Sequence, residues 1–271
     1  MAILKKDPQK YDVIIVGGGP AGLFAAYYLS EHSDLKILLI EKGKGTFNRI
    51  CPIKSDQKCK KCKPCNILCG IGGAGLFSDG KLNYIHKLGK TDLTQFMPKH
   101  KAQNLIDETE VIFNQFGMDG PVYPTDMEAA KNIRKNAKRY GIDLLIIKQK
   151  HLGSDRLPDY IESMANAIKS KGVVMHTSEE VKDVVVRDGA ISGLVTNRKQ
   201  YTTENVILAP GRVGADWMGK TAIKYGKFNK RKGATTVGFV KAQLQNAMKR
   251  KQLDLKIERT IPLVEETLDQ F

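Results

Sequence analysis

The chain has 271 residues, 41% of them hydrophobic, and 44 basic against 29 acidic side chains. This composition predicts a globular protein with a sizeable core and excludes a disordered or collagen-like chain. The formal charge of +15 comes from two blocks, with twelve basic and three acidic residues at 44–101 and ten basic and no acidic residues at 220–251. The basicity therefore needs a local explanation in each block.

The cysteines and the amino-terminal segment indicate the compartment. All five cysteines lie between residues 51 and 69, and residues 1–10 contain no apolar signal core. This pattern excludes a distributed disulfide framework and predicts a reducing, cytoplasmic setting. Residues 13–30 carry no charge, but their glycines and proline fit a strand, a turn and a helix better than a membrane span.

The first elements predicted along the chain form a βαβ unit. Residues 12–16 and 36–40 are apolar runs typical of buried parallel strands, and residues 21–30 between them indicate a helix. Residues 46–75 lose this periodicity and are rich in Cys, Lys and Gly. We therefore expect a functional loop there.

The rest of the chain changes from helical patterns to short strands. Helices are predicted at 98–116, 126–140, 155–171 and 238–251, and strands at 142–147, 173–176, 181–187, 190–196 and 205–209. Asp188-Gly189 lies between two alternating runs and favours a type I′ hairpin turn, because both of its central residues tolerate positive φ. The four strands from 173 onwards are expected to form a small antiparallel meander.

A glycine-rich turn joins the first strand to the first helix. Gly17, Gly19 and Gly22 have G-x-G-x-x-G spacing, and Glu41 ends the next strand. In dinucleotide-binding folds these glycines permit a tight turn, close approach of a pyrophosphate and close helix packing, while the acid binds ribose hydroxyls. The helix N-terminus favours phosphate. The pattern predicts a dinucleotide site, with a ligand-free turn as the alternative.

Longer segments extend this pattern. The run DVIIVGGGPAGLFAAYYL with ILLIEKG resembles the FAD-binding motif of glutathione-reductase-like flavoproteins, which have two dinucleotide-binding domains, and TENVILAPG at 203–211 is similar to their segment that returns to the FAD sheet. RICP at 49–52, the cysteine cluster, 69–82 and 209–217 resemble a poorly characterised prokaryotic family of FAD-dependent dehydrogenases. Members of that family are longer and complete the flavin site with a C-terminal segment, which we do not find after Trp217.

The resemblance implies a fold and a division of the chain. The expected fold is α/β, a Rossmann-like three-layer FAD-binding domain with a β-meander and a helical insertion. Residues 1–90 and 172–217 would form the FAD domain, 91–171 a helical substrate insertion, and 218–271 a basic helical segment without an assigned role.

The resemblance also implies a function and a set of contacts. The protein would be an FAD-dependent oxidoreductase that transfers hydride or electrons, with a small-molecule substrate or an electron-transfer partner and NAD(P)H as a candidate donor. The alternative is an FAD- or RNA-binding module with an incomplete flavin site and a structural zinc. The expected cofactor contacts are Gly17, Gly19, Pro20, Ala21, Gly22, Glu41, Lys42, Arg49, Gly73, Val181, Ala209, Gly211 and Arg212.

The cysteines form a motif of their own. Cys59, Cys62, Cys65 and Cys69 have C-x2-C-x2-C-x3-C spacing, which is typical of bacterial iron–sulfur ligands, although Gly70 replaces the usual proline. Cys51 is an alternative ligand. An iron–sulfur cluster, a structural zinc, redox thiols and a plain lysine-rich loop all stay open, and the interleaved lysines would stabilise thiolates.

Catalytic candidates and nucleic-acid contacts complete the predictions. Lys81, Cys65 and Cys69 are the catalytic candidates, Lys81 because its charge would stabilise reduced flavin. In the second basic block aromatic residues are sparse and an RNA-binding signature is missing. A solvated helical face is therefore favoured over nucleic-acid binding.

Overall fold

The computed structural model describes residues 9–55, 58–89 and 91–225. The predicted helix at 238–251 and most of the basic segment lie outside these residues. The strands are β1 Gln9–Lys10, β2 Val13–Val16, β3 Ile37–Ile40, β4 Lys81–Asn83, β5 Lys87–Leu88, β6 Thr91–Asp92, β7 Val122–Tyr123, β8 Gln149–His151, β9 Val174–His176, β10 Val181–Arg187, β11 Ala190–Thr196, β12 Gln200–Thr202 and β13 Asn205–Leu208. The α-helices are α1 Pro20–His32, α2 Lys99–Gln115, α3 Met127–Arg139, α4 Leu157–Ser170 and α5 Ala215–Lys224. Short 3₁₀ turns occur at Thr46–Asn48, Pro52–Ser55, Gly73–Phe77, Leu93–Gln95 and Arg212–Gly214.

The described residues divide into two compact units, one of residues 9–75 with 161–225 and the other of residues 76–160. The first unit contains a four-stranded parallel sheet in the order β13-β2-β3-β9. Every residue of β2 and β3 is buried, as expected of strands covered on both faces. In chain order these four strands are arranged 3-2-1-4, the order of the first four strands of a Rossmann fold.

Three layers make up the first unit. On one face of the parallel sheet, α1 packs against β2, β3 and β13. On the other face lies an antiparallel meander of β10, β11 and β12, to which β1 adds in parallel. The core between the two sheets contains buried residues from both, for example Ile14, Leu38, Val184, Leu194 and Tyr201. The predicted α/β fold with a Rossmann-like three-layer domain and a β-meander is confirmed.

The hairpin between β10 and β11 has the predicted backbone. Asp188 and Gly189 have φ of 50° and 74°, the positive values that a type I′ turn requires at both central positions. The predicted places of residues 173–176 and 205–209 in the meander are wrong, because β9 pairs in parallel with β3 and β13 pairs in parallel with β2. The helix α4 precedes β9, and a helical crossover returns a chain to its sheet in parallel.

The second unit is mixed rather than purely helical. Besides α2 and α3 it contains a three-stranded antiparallel sheet, β4-β8-β7, and the hairpin β5-β6. The strand predicted at 142–147 is wrong, since Ile142, Leu144 and Leu145 are exposed and β8 begins only at Gln149. The apolar run has no neighbouring strand in this unit, so its composition alone does not make a strand.

Buried charge ties α2 of the second unit to its sheet. Glu110 is buried, and its carboxylate bonds Lys148 and lies 3.3 Å from the Nζ of the buried Lys150. Burial raises the pKa of Glu110, but the hydrogen bonds from both lysines outweigh burial and hold it below its ordinary value.

In residues 9–55, 58–89 and 91–225, no helix is both long and apolar enough to cross a membrane.

Candidate dinucleotide-binding site

The carboxyl ends of the four parallel strands meet at one edge of the sheet. The Gly17 N–H donates to Ile40 O at 2.8 Å, the Ala209 N–H to Val16 O at 2.8 Å, and the Glu41 N–H to His176 O at 2.8 Å. On one side of β2 lie β3 and then β9, which follow it in the chain, whereas β13 pairs on the other side of β2. The order of the strands therefore reverses at β2. Ligands of open α/β sheets bind at such a reversal point, beside the carboxyl ends of the strands.

The three fingerprint glycines face different surroundings. A Cβ on Gly17, whose φ is 106°, would lie 2.1 Å from Ala209 O, and one on Gly22 would lie 1.8 Å from Gly17 O. Gly19 has an ordinary φ of −76°, and a Cβ there would meet only Gly73 Cα, at 3.8 Å. Packing of the protein therefore requires glycine at 17 and 22, whereas at 19 a glycine leaves space in front of α1.

The amino end of α1 is free of protein caps. Gly19 is the N-cap and provides no side chain, Pro20 has no N–H, and the first turn contains no acidic residue. The first bond of the helix is from Leu23 N–H to Gly19 O, at 2.9 Å. The N–H groups of Ala21 and Gly22 therefore lack helical acceptors, and the helix dipole adds partial positive charge where an anion would bind.

Glu41 fastens the turn to two other segments. Its side chain is buried, Oε2 accepts from Gly18 N–H at 2.7 Å, and Oε1 accepts from Gly43 N–H at 2.7 Å and Gly70 N–H at 2.9 Å. Each carboxylate oxygen has two lone pairs, so Oε2 retains capacity for one more donor. Glu41 thus has a structural task that the fingerprint did not predict, and its contact with ribose stays a prediction.

Arg49 cross-links the two arms of the cysteine-rich loop. Its guanidinium is buried and donates from Nε to Asn66 O at 2.9 Å, from Nη2 to Ile67 O at 2.7 Å and from Nη1 to Ile71 O at 2.8 Å. Burial lowers the pKa of Arg49, and the carboxylate of Glu41 opposes this shift. The structure shows these three carbonyls as partners of Arg49. Its predicted contact with phosphate or flavin stays a prediction.

The loop lies directly on the glycine turn. The Gly72 N–H donates to Gly18 O at 2.8 Å, and Gly73, with a φ of 61°, is close enough that a Cβ on it would lie 3.1 Å from Gly19 Cα. The side chain of Ile71 covers Gly18. Gly73 therefore lies beside the turn, and its cofactor contact stays a prediction.

The remaining predicted contacts lie at two places. Lys42 follows β3, Val181 begins β10, and β13 is followed by Ala209, Gly211 and Arg212. Val181 is buried and Arg212 is exposed. In the second unit, Lys81 begins β4, is half exposed and pairs with Asp79 at 2.9 Å. The structure does not test the flavin role predicted for Lys81.

The cysteines lie at different depths. Cys69 is buried, Cys51 and Cys65 are half-buried, and Cys59 and Cys62 are exposed. Burial raises the pKa of the Cys69 thiol, and the charge of Lys42 opposes this. Within the part of the chain that the structure describes, no three His, Cys, Asp or Glu side chains are placed to hold a metal. The predicted iron–sulfur and zinc sites are therefore not confirmed.

A buried polar cluster behind Glu41 was not predicted. Glu179 is 1% exposed, its Oε1 accepts from Thr196 Oγ1 at 2.7 Å and Tyr201 OH at 2.8 Å, and its Oε2 lies 3.0 Å from His176 Nδ1. Burial raises the pKa of Glu179, but the hydrogen bonds from Thr196 and Tyr201 together with His176 outweigh burial and keep the pKa below its ordinary value. Because the Glu179 N–H donates to Glu41 O, at 3.0 Å, the cluster supports the backbone at Glu41.

Comparisons with known proteins give matches of different extent. The model of the Thi4 family matches residues 5–46, which include the turn, α1 and Glu41. An uncharacterized protein of Clostridium beijerinckii is 26% identical over 204 residues, covering 75% of this chain and 31% of the relative. A ferredoxin–NADP reductase of Limosilactobacillus fermentum is 61% identical over 33 residues, 12% of this chain and 10% of the relative. The structure of glycine oxidase from Geobacillus kaustophilus is 18% identical with a TM-score of 0.49, covering 81% of this chain and 59% of that protein. The chain thus spans less than a third of the length of the Clostridium beijerinckii protein.

Proposed function

We propose that the first unit binds FAD and that the protein is an FAD-dependent oxidoreductase. The observation that carries this proposal is the open position at Gly19, in front of an uncapped helix and at the reversal point of a parallel sheet. The motif resemblance to glutathione-reductase-like flavoproteins favours FAD over NAD, and the short match to a ferredoxin–NADP reductase supports redox activity. Bound FAD would supply hydride and electron transfer.

The residues at the turn fit such a dinucleotide. The free N–H groups of Ala21 and Gly22 would bind the pyrophosphate, and Glu41 Oε2 would accept a ribose hydroxyl with its remaining lone pair. The buried carboxylate of Glu41 also disfavours a phosphate on that ribose. By resemblance, the backbone at Val181 would contact the adenine.

The cysteine-rich loop is the proposed site of a second redox or metal function. Its residue Gly72 donates to Gly18 O, so a centre held by this loop would lie beside the cofactor turn. Iron, sulfide and zinc analysis of anaerobically purified protein distinguishes a cluster, a structural zinc and free thiols. NAD(P)H is the proposed donor, and anaerobic bleaching of the flavin absorption by NADH or NADPH tests it.

Gly19→Ala separates cofactor binding from folding. The added Cβ makes only an ordinary contact inside the protein, but it fills the space through which a pyrophosphate would reach the amides. Losing one charge-assisted hydrogen bond costs about 1.5–3 kcal/mol, which is roughly a 10- to 150-fold loss of FAD affinity. Gly45→Ala is the matched control, because Gly45 has a φ of −62° and open space around it.

We expect Gly19→Ala to unfold at the same temperature as the natural protein and to bind FAD more weakly, with the control unchanged in both respects. Equal FAD affinity in Gly19→Ala and the natural protein would contradict the proposed site. A protein that takes up no FAD but holds zinc would instead favour the binding-module alternative.

A further inference from the structure

We propose that the outer face of the cysteine-rich loop is a docking surface for a small, acidic electron-carrier protein. The docking surface consists of the exposed side chains of residues 47–53 and 58–68. The carrier class rests on the proposed redox function, whereas the surface itself follows from exposure and charge.

Large apolar side chains are exposed on this loop. Phe47, Ile50, Ile53 and Leu68 have exposed fractions of 61%, 74%, 48% and 46%. A single exposed apolar side chain needs no explanation, but four within one loop are a concentration of exposed apolar surface of the kind found at interaction sites.

The backbone beneath these side chains is held in place. The Asn66 side chain donates from Nδ2 to Ile50 O at 2.7 Å, and Arg49 donates to Ile67 O at 2.7 Å. These bonds bring the arm that carries Ile50 next to the arm that carries Leu68. A surface that is already ordered loses less conformational entropy on binding.

The charge of the loop selects an acidic partner. Lys58, Lys60, Lys61 and Lys63 are all exposed. Between residues 42 and 78 the sequence contains eight basic residues, and Asp56 is its one acidic residue. Apolar side chains with charges of one sign around them combine contact energy with electrostatic steering of an oppositely charged protein.

Other occupants fit the loop less well. A second copy of this chain would bring two positive loops together. Proteins that bind single-stranded RNA stack its bases on aromatic side chains, and Phe47 is the one aromatic residue of the docking surface. Membrane-surface segments are amphipathic helices, whereas this loop has only 3₁₀ turns in its described residues.

The inner side of the same loop touches the proposed cofactor site. The Gly72 N–H donates to Gly18 O, and Gly73 packs on Gly19. A protein bound to the outer side would therefore lie close to the dinucleotide turn. Electron carriers bind through small interfaces, often below about 1,200 Å², so a transient complex needs only a small contact surface.

The test measures binding of two acidic probes, a plant-type ferredoxin and a flavodoxin, to the full chain at low and high salt. Ile50→Ser removes an apolar contact and Lys60→Glu reverses a charge. Their matched controls are Ile223→Ser, at a position 50% exposed on α5, and Lys10→Glu, at an exposed position on β1. Pooled tRNA and vesicles of phosphatidylglycerol and phosphatidylcholine serve as probes of the other classes.

We expect at least one acidic carrier to bind, with affinity that falls as salt rises. Ile50→Ser and Lys60→Glu should each weaken this binding by roughly 5- to 30-fold, and the control variants should not. Failure of both carriers to bind, or equal binding by Ile50→Ser and Ile223→Ser, overturns the proposal. Binding of tRNA or vesicles that depends on Ile50 also overturns it, in favour of that class. FAD titration of the same preparation is scored separately, so loss of the docking surface and loss of the proposed function are distinguishable.

Discussion

The substitution Gly22→Ala tests the packing of the dinucleotide turn. A Cβ at position 22 would lie 1.8 Å from Gly17 O, whereas real Cβ contacts are essentially never shorter than 3.0 Å. The start of α1 and the turn must therefore move apart by about 1.2 Å. Overpacking of this kind costs about 1–3 kcal/mol, and the helix propensity of alanine returns up to about 1 kcal/mol. A clash with a backbone oxygen belongs at the upper end of this overpacking range, about 2–3 kcal/mol, so the expected net loss of unfolding free energy is about 1–2 kcal/mol.

The assay is urea unfolding followed by the fluorescence of Trp217, the single tryptophan of the chain. Its indole N–H donates to Lys182 O at 3.0 Å and its ring packs against the core of the first unit, so its emission reports on that unit. Gly45→Ala is again the control and should change the unfolding free energy by less than about 0.5 kcal/mol. A Gly22→Ala protein as stable as this control would refute the packing argument.

Two further substitutions test the buried charges of the first unit. Arg49→Lys keeps the charge but replaces three separate donor nitrogens of a planar guanidinium with one ammonium nitrogen, which cannot reach the same three carbonyls. The buried Cys69 should therefore react with iodoacetamide faster than in the natural protein, while the exposed Cys59 keeps its rate. An unchanged Cys69 rate would show that Arg49 does not hold the loop. Glu179→Gln tests the carboxylate whose pKa is depressed in the folded state, so its stabilisation is present above the ordinary value of 4.5 and is lost as the pH falls through the folded pKa. The unfolding free energy of Glu179→Gln should therefore be lower at neutral pH and fall less steeply below pH 4.5 than that of the natural protein, and parallel curves would contradict this role.

The βαβ unit could be predicted because its information is local. Buried strands need continuous apolar runs, and Gly22 is fixed by its contact with Gly17, only five residues away, whereas the contact of Gly17 with Ala209 is distant in the sequence. The pairing partner of residues 173–176 could not be predicted from composition, since an apolar run of this length serves a parallel or an antiparallel sheet equally well. The preceding helix was the signal that could have decided it.

The tasks of Glu41 and Arg49 illustrate what the sequence does not contain. The fingerprint assigns Glu41 to a ligand, yet in the structure its carboxylate also accepts from three backbone N–H groups. Arg49 donates to carbonyls 17 to 22 residues away. Backbone donors and acceptors are the same in every residue type, so these contacts leave no pattern in the sequence. Cysteine spacing is visible, but the depth of each thiol depends on how the loop folds.

The central claim is that the first unit binds FAD at the glycine turn. Equilibrium dialysis of the purified protein against FAD, with NAD in a parallel experiment, tests this claim most directly. The proposed site predicts saturable binding of one FAD per chain and markedly weaker binding of NAD. Absence of saturable FAD binding, or preferential binding of NAD, would contradict it.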